Sequence, residues 1–383
     1  MIDRILLAPY WLVLKIRHGM YNKGFIFKSR EAETPTVCIG NITAGGTGKT
    51  PHTEMLLRTL QQSDDWGFRN AAVLSRGYKR KSKRFQQVPM NGTARLYGDE
   101  PVQIKKKFPA VTVAVDKDRV EGCNFLCHPD ILTSSKKARK CIDKNMEPAE
   151  LIVLDDAFQY RKLKASYSIV LVDYNRPITK DKLLPFGHLS DLPSRIFAAD
   201  AIIITKCPHY MDDDDRRQFL EVLGYKDFNP EKCEAVNRKK KAQKVFFTCI
   251  NYLPPVPIYE EGDTRYIYSK KLVLFTGIAK DTPLRQFLSD KYKIVKRFKF
   301  SDHHTFSRQD IKAIEAASFA NPTAVVATTE KDAQRLVDSR KVTPRLKERL
   351  FQVPIETAFL SEREETAFTA SMIEALRSFR KDG

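Results

Sequence analysis

The chain reads as an α/β protein: two α/β/α domains with mainly parallel sheets, the first a P-loop NTPase domain, joined by a short β-ribbon-like linker. Three observations predict this. Short apolar runs of strand length alternate with stretches of helical spacing, the pattern of βαβ units. A glycine-rich loop lies between the first such run and the first helical stretch, where backbone N–H groups and a helix start can face an anion. The length, 383 residues, is more than one small core holds, so two domains are expected.

Taken in order, the chain opens on the apolar run Ile5–Leu14, followed by Lys15, Arg17 and His18. This run is too short to cross a bilayer, which needs about 20 residues. It also lacks the basic lead and small-residue cleavage site of a secretory signal. An aromatic and aliphatic segment beside basic residues suits a helix lying in the membrane interface, and equally a helix packed on the first domain. Residues 1–25 are assigned to this membrane-interface helix.

Residues 26–235 form the expected P-loop domain. The buried strand Thr36–Gly40 leads into Thr43-Ala44-Gly45-Gly46-Thr47-Gly48-Lys49-Thr50, and Thr53–Leu60 has helical spacing. The loop fits G-x-x-x-x-G-K-[ST] except at Thr43, which stands where the pattern has glycine. In this reading the loop binds a nucleoside triphosphate, Lys49 reaches the terminal phosphates, and the Thr50 hydroxyl holds Mg2+. Further strands are expected at Ala71–Ser75, Val111–Val115, Leu151–Leu154, Ile169–Val172 and Ala201–Thr205. Polar clusters follow them: Ser75-Arg76-Gly77-Tyr78, Asp116-Lys117-Asp118-Arg119, Asp155-Asp156 and Asp173. Ligands of such sheets collect at the carboxyl ends of the strands, so these clusters are expected around the glycine-rich loop. The charged and proline-containing stretch 236–270 reads as the linker. Residues 271–383 read as a second α/β domain closing over the site, with strands at Leu272–Gly277 and Ala324–Thr328 and a helix near Glu364–Arg377.

The formal charge of +19 points to nucleic acid, anionic lipid or phosphorylated substrates. No nucleic-acid-binding module is present and aromatics do not interleave with the basic residues, so no nucleic-acid partner is expected. Seven scattered cysteines suggest free thiols in a reducing compartment rather than a disulfide framework.

Two constellations carry chemistry. Leu151-Ile152-Val153-Leu154-Asp155-Asp156 is an apolar strand ending in two carboxylates, the placement nucleotide-using enzymes give to an acid near the metal. Adjacent carboxylates point in different directions, so at most one is expected to face it. Gly98-Asp99-Glu100-Pro101 puts paired acids in a turn, where one could orient an acceptor hydroxyl and take its proton. Alone, such a turn is more often a helix cap. Asp302-His303-His304-x-Phe306 precedes Ser307-Arg308-Gln309-Asp310, which reads as a capped helix start unless the second domain closes over the first.

The whole set resembles one family. Gly40-Asn41 before Thr43–Thr50, Ser75-Arg76-Gly77-Tyr78, Gly98-Asp99-Glu100-Pro101, Asp155-Asp156-x-x-Gln159, Leu184-Pro185-x-Gly187, Asp302-His303 and Thr329-Glu330-Lys331-Asp332 occur in the order found in tetraacyldisaccharide 4′-kinase, the lipid A kinase of Gram-negative bacteria. The resemblance runs from Pro35 to about Leu336. It implies a peripheral enzyme on the cytoplasmic face of the inner membrane that moves the γ-phosphate of ATP to the 4′-hydroxyl of an acylated glucosamine disaccharide 1-phosphate. It implies Asp99 as catalytic base with His303 as its partner, and Thr50 with an acid of Asp155-Asp156 serving Mg2+. Glu100, Gln159, Arg76, Arg119 and Asp191 are expected in the polar shell around substrate. Two departures stand out: Ser190-Asp191 replaces the family's usual Arg-Glu, and Lys79 replaces a glycine after Tyr78. The rival from another class is a membrane-recruited P-loop switch ATPase. Such proteins carry a signature lysine early in the loop, where this chain has Ala44, and have no use for Asp99 or Asp302-His303.

Overall fold

The computed structural model describes residues 2–23, 28–62, 70–134, 146–302, 304–337 and 339–381. His303 lies outside the described residues, as does Cys141.

The large sheet is built from β1 (Thr36–Asn41), β2 (Ala71–Ser75), β3 (Gln86–Gln87), β4 (Thr112–Val115), β5 (Leu151–Asp155), β6 (Tyr167–Asp173), β7 (Ala201–Thr205), β8 (Lys226–Asn229), β9 (Glu234–Val236) and β10 (Ala242–Tyr252). Its order is β3-β4-β2-β5-β1-β6-β7-β10-β9-β8. From β4 through β10 every neighbour runs parallel, and β3, β9 and β8 add antiparallel edges. Parallel strands are covered by helices on both faces and therefore read as continuous apolar runs. β1, β5 and β7 are buried at every position, and alternate residues of β1 enter opposite cores, Cys38 one and Val37 and Ile39 the other. β1 sits between β5 and β6, so its carboxyl end opens at the middle of the sheet.

The second sheet holds β11 (Val256–Pro257), β12 (Lys271–Thr276), β13 (Lys293–Lys299), β14 (Val325–Thr329) and β15 (Leu350–Val353) in the order β11-β15-β14-β12-β13. β16 (Ile355–Phe359) leaves it and pairs antiparallel with β10, from Tyr252↔Ile355 to Thr248↔Phe359. The β10–β16 pair is the ribbon between the two sheets.

This redraws the boundaries expected from the sequence. The stretch 236–270 is not simply a connection, because β10 is an interior strand of the large sheet with Phe246 and Phe247 fully buried. The charged stretch Lys232–Lys244 that suggested a linker holds β9, the turn after it and the start of β10. The terminal helix Glu362–Lys381 is likewise not part of the second unit: Phe368, Met372 and Leu376 pack with Val37 and Phe246.

At the other terminus, the helix Ile2–Lys23 turns Leu7, Tyr10, Leu14 and His18 toward the protein, with Leu14 and His18 buried. That spacing of three and four is one helical face. Trp11, Leu12, Val13 and Ile16 on the outer side are 42–59% exposed. No helix among the described residues is long and apolar enough to cross a membrane.

Candidate active site

The glycine-rich loop leaves β1 and ends in the helix Lys49–Gln62. Gly45, Gly46 and Gly48 have φ of 79°, 54° and 90°, a region that costs residues with a Cβ. A Cβ at Gly45 or Gly46 would meet nothing within 4 Å, so the loop has open space beside these two glycines. Its shape is set by neighbours on the sheet. Asn41 donates its amide to Thr47 Oγ1 at 2.6 Å, Thr205 donates to the Thr47 carbonyl at 3.1 Å, and Lys206 donates to the Gly46 carbonyl and pairs with Asp173. Lys49 Nζ lies 3.4 Å from Asn41 Oδ1 and 3.5 Å from Asp156 Oδ1.

The two carboxylates at the end of β5 diverge as expected. Asp155 is buried and accepts from Ser75 Oγ at 3.1 Å and Thr53 Oγ1 at 3.4 Å. Asp156 adopts φ of 54° and turns outward to Lys49; a non-glycine residue in that region stores strain that often accompanies function. Burial pushes the Asp155 carboxyl up to about 7, with the charges of Glu100 and Asp156 adding to the shift. A carboxyl whose folded value exceeds its unfolded one holds its proton more tightly when folded, so stability is lost as pH rises through about 7. Asp155→Asn is therefore expected to raise the melting temperature at pH 8 by about 2 °C or more while removing activity. A pH series of melting curves checks this, since the gain has to shrink toward pH 5.

The acidic turn arrives from the other direction. Asp99 and Glu100 open the helix Asp99–Lys107, after Gly98 with φ of 100°. The helix Glu330–Leu336 of the second unit packs on it. Arg335 donates Nε and Nη2 to Asp99 Oδ2 at 2.9 and 2.7 Å, and Lys331 donates to Glu100 Oε1 at 2.9 Å. Burial raises the Glu100 carboxyl, but Lys331 and Lys49 together outweigh it and hold it below the usual range. Deeper in the contact, Lys107 donates to Glu54 Oε2 at 2.8 Å and Glu330 Oε2 at 3.0 Å. Arg335 is itself fixed by Asp332 Oδ1 at 2.8 Å, and the other oxygen of Asp332 accepts from Gly277 N and Thr329 Oγ1. Burial pushes the Asp332 carboxyl up, and the charge of Asp302 contributes, which puts the Asp302 loop beside the clasp. His304 hydrogen-bonds Asp310 at 2.9 Å within a capping box, the structural role expected for that stretch.

Other residues expected in the polar shell make the following contacts. Arg119 is buried and spends its guanidinium on the carbonyls of Asp156 and Lys117, both at 3.1 Å. It braces the turn after β5 instead of presenting charge to solvent, whereas Arg76 is exposed. Gln159 donates to the Asn41 carbonyl at 3.2 Å and Ser190 Oγ at 2.7 Å. Asp191 is buried against His18 at 2.6 Å and Arg195 at 3.7 Å. Ser190-Asp191 thus seats the N-terminal helix on the segment flanking the loop, where Tyr10 also donates to the Ser190 carbonyl. Carboxylate and amide at these positions satisfy buried polar groups.

Lys331, Arg335, Lys206 and His52 join the site without having been singled out. Lys331 was visible within Thr329–Asp332, but its partner Glu100 is 231 residues away, which no local pattern shows. Lys206 follows β7 directly, and a basic residue at the carboxyl end of a strand was a usable signal.

Comparison with known proteins fits this arrangement. The family model for Tetraacyldisaccharide-1-P 4′-kinase matches residues 4–376. The Tetraacyldisaccharide 4′-kinase of Phocaeicola vulgatus is 36% identical over 359 residues, covering 91% of this chain and 88% of that protein. That of Flavobacterium johnsoniae is 34% identical over 374 residues, covering 96% and 94%. Among solved structures, LpxK from Aquifex aeolicus in complex with ATP has the same fold, with a TM-score of 0.65 at 23% identity over 97% of this chain and 99% of that one.

Proposed function

The chain belongs to the tetraacyldisaccharide-1-P 4′-kinase family, and we propose that it runs that family's reaction through the residues described above. It is an ATP-dependent kinase of lipid A biosynthesis, and the switch-ATPase reading is not favoured. The observation that carries the residue assignment is the acidic turn Asp99-Glu100, gripped by Arg335 and Lys331 of the second unit on the side of the site reached by the charge of Lys49.

In this reading the triphosphate of ATP lies along the loop Thr43–Thr50, with Lys49 on the terminal phosphates. The loop fits such a guest: its glycines leave open space, and Thr43 Oγ1 is buried with no hydrogen-bond partner among the described residues. Thr50 and a carboxylate of Asp155-Asp156 would hold Mg2+, which supplies neutralisation of the phosphate charge. Among the described residues no three His, Cys, Asp or Glu side chains gather as a metal cage, and Mg2+ asks for only one or two carboxylates beside water and phosphate oxygens. The 4′-hydroxyl of the acylated disaccharide 1-phosphate attacks the γ-phosphorus. Its proton passes to the Asp99 carboxylate, the bond to the bridging oxygen breaks, and ADP leaves. Arg335 keeps Asp99 in place from the second unit, and His303 completes the base.

The substrate is a lipid, and the N-terminal helix suits a protein held on the cytoplasmic face of the inner membrane. A helix apolar on its outer side as well as its inner side is a membrane-interaction feature. Lys15 lies 4.2 Å from the Trp11 ring, and each basic residue near an anionic leaflet adds about 1 kcal/mol. The triple change Leu12→Glu, Val13→Glu and Ile16→Glu is expected to reduce co-sedimentation with phosphatidylglycerol vesicles at least about tenfold at an unchanged melting temperature. Unchanged sedimentation would place the anchor elsewhere.

The reaction itself is tested by mass spectrometry of a tetraacyldisaccharide 1-phosphate incubated with the protein and Mg-ATP. The expected product is heavier by one phosphate. ATP turnover indifferent to the lipid, with no mass gain, would overturn the assignment.

A further inference from the structure

We propose that His52 is a positioning residue for the ATP loop, its ring held in place by Thr248 at the root of the ribbon between the two sheets. The inference rests on the kinase reading above, because it concerns how that loop is shaped to receive ATP.

His52 lies one turn into the helix Lys49–Gln62 and is 2% exposed. Its Nδ1 is 2.7 Å from the Gly48 carbonyl, which also accepts the His52 backbone N–H at 3.1 Å. A carbonyl only accepts, so Nδ1 carries the proton. In the neutral ring Nε2 is then an acceptor. Thr248 Oγ1 sits 2.9 Å from Nε2 and 3.4 Å from the Ile204 carbonyl, and its one proton goes to the nearer nitrogen. The Gly48 carbonyl thus fixes the tautomer, and the threonine hydroxyl satisfies the other ring nitrogen and holds the ring in the orientation that reaches Gly48.

The consequence for the loop follows from peptide planarity. The Gly48 carbonyl and the Lys49 N–H belong to one trans peptide unit and point in opposite directions. Two donors on the carbonyl fix that plane, and with it the amide of Lys49, one of the free N–H groups at the helix start that serve an anion. Gly48 is at φ of 90°, and the ring bond adds to the first backbone bond of the helix in holding that plane.

The position of Thr248 gives the contact its wider meaning. β10 pairs in parallel with β7 as far as Phe247↔Ile204. At Thr248 it takes up β16 instead, beginning with Thr248↔Phe359. Thr248 also accepts the Cys207 amide at 2.9 Å, next to Lys206 on the Gly46 carbonyl. The hydroxyl that sets His52 thus stands where the strand leaves the nucleotide sheet for the second unit. The imidazole ties the loop that receives ATP to the root of the β10–β16 ribbon, alongside the contact of Arg58 with the Thr357 carbonyl of β16.

The test uses the full-length enzyme with steady-state kinetics in ATP at saturating lipid acceptor. Thr248→Val, which removes the hydroxyl at nearly constant volume, is expected to raise KM for ATP about five- to tenfold with kcat within about twofold. Thr248→Ser, which restores the hydroxyl, is expected to return KM toward the wild-type value. His52→Phe should match Thr248→Val, and the double variant should be no worse than either, since both break one relay. A folded Thr248→Val enzyme with a lowered melting temperature and unchanged KM would make the contact purely structural and overturn the proposal. So would KM effects that multiply in the double variant. If His52→Phe does not fold, the Thr248 pair decides alone. A wild-type enzyme that does not turn over ATP at all would instead refute the kinase reading.

Discussion

Lys49→Ala is expected to lower kcat by about 10³-fold or more, with the melting temperature nearly unchanged. The size follows from the part a positioned cation plays in phosphoryl transfer, where charge on the transferred group is stabilised by groups already in place. The small effect on stability follows from the surroundings of Lys49 in the folded chain. Its partner Asp156 is half exposed and 3.5 Å away, and an ion pair of that kind contributes about 0–1 kcal/mol. The loop keeps its shape through Asn41, Thr205 and Lys206, none of which needs the lysine. Lys49→Arg is not expected to rescue, because a broad planar fork does not replace a compact ammonium at such a site. Measuring ADP release beside a thermal melt separates the two effects. A rate within tenfold of wild type would remove the loop from the site.

What could be read from the sequence and what could not divide along physical lines. The β1–loop–helix unit was legible because its parts are contiguous: a buried strand, glycines at left-handed positions and a helix start lie within 27 residues, from Thr36 to Gln62. β5 and its two acids were legible for the same reason. β10 was missed because Arg238–Lys241 announces a solvated turn, and the three-residue run Val245-Phe246-Phe247 behind it is too short to outweigh that charge. The terminal helix was assigned to the wrong unit because chain order does not record that β16 brings the chain back to the first sheet. Arg119 and Gln159 follow the ends of β4 and β5, where ligands collect, and Asp191 lies in the long segment between β6 and β7. Buried carbonyls and a buried histidine also need partners there, and composition cannot tell the two uses apart. The clasp of Asp99 by Arg335 spans 236 residues and exists only once both sheets are assembled. The sequence showed both motifs and not their meeting.

That meeting gives the second large effect. Asp99→Asn is expected to lower kcat about 10²- to 10⁴-fold while KM for ATP stays within about threefold. The asparagine fills the same space and still accepts from Arg335 through its amide oxygen, so the turn and its helix are retained. What it lacks is the capacity to take the proton of an acceptor hydroxyl. Arg335→Met should lower kcat as well, because both its bonds to Asp99 Oδ2 are lost, and Asp332 would lose the cation that offsets its burial. The two losses are not expected to multiply: once Asp99 cannot act as a base, nothing remains for Arg335 to orient, and members of one catalytic unit are non-additive. The double variant should therefore turn over close to Asp99→Asn alone. Independent, multiplying effects would mean that Arg335 acts on the transferred phosphoryl group directly, as a cation from the second unit, and that its hold on Asp99 is incidental. If Asp99→Asn instead raised KM for ATP and spared kcat, the carboxylate would belong with Glu100 on the nucleotide side, and the proton acceptor would have to be sought at His303.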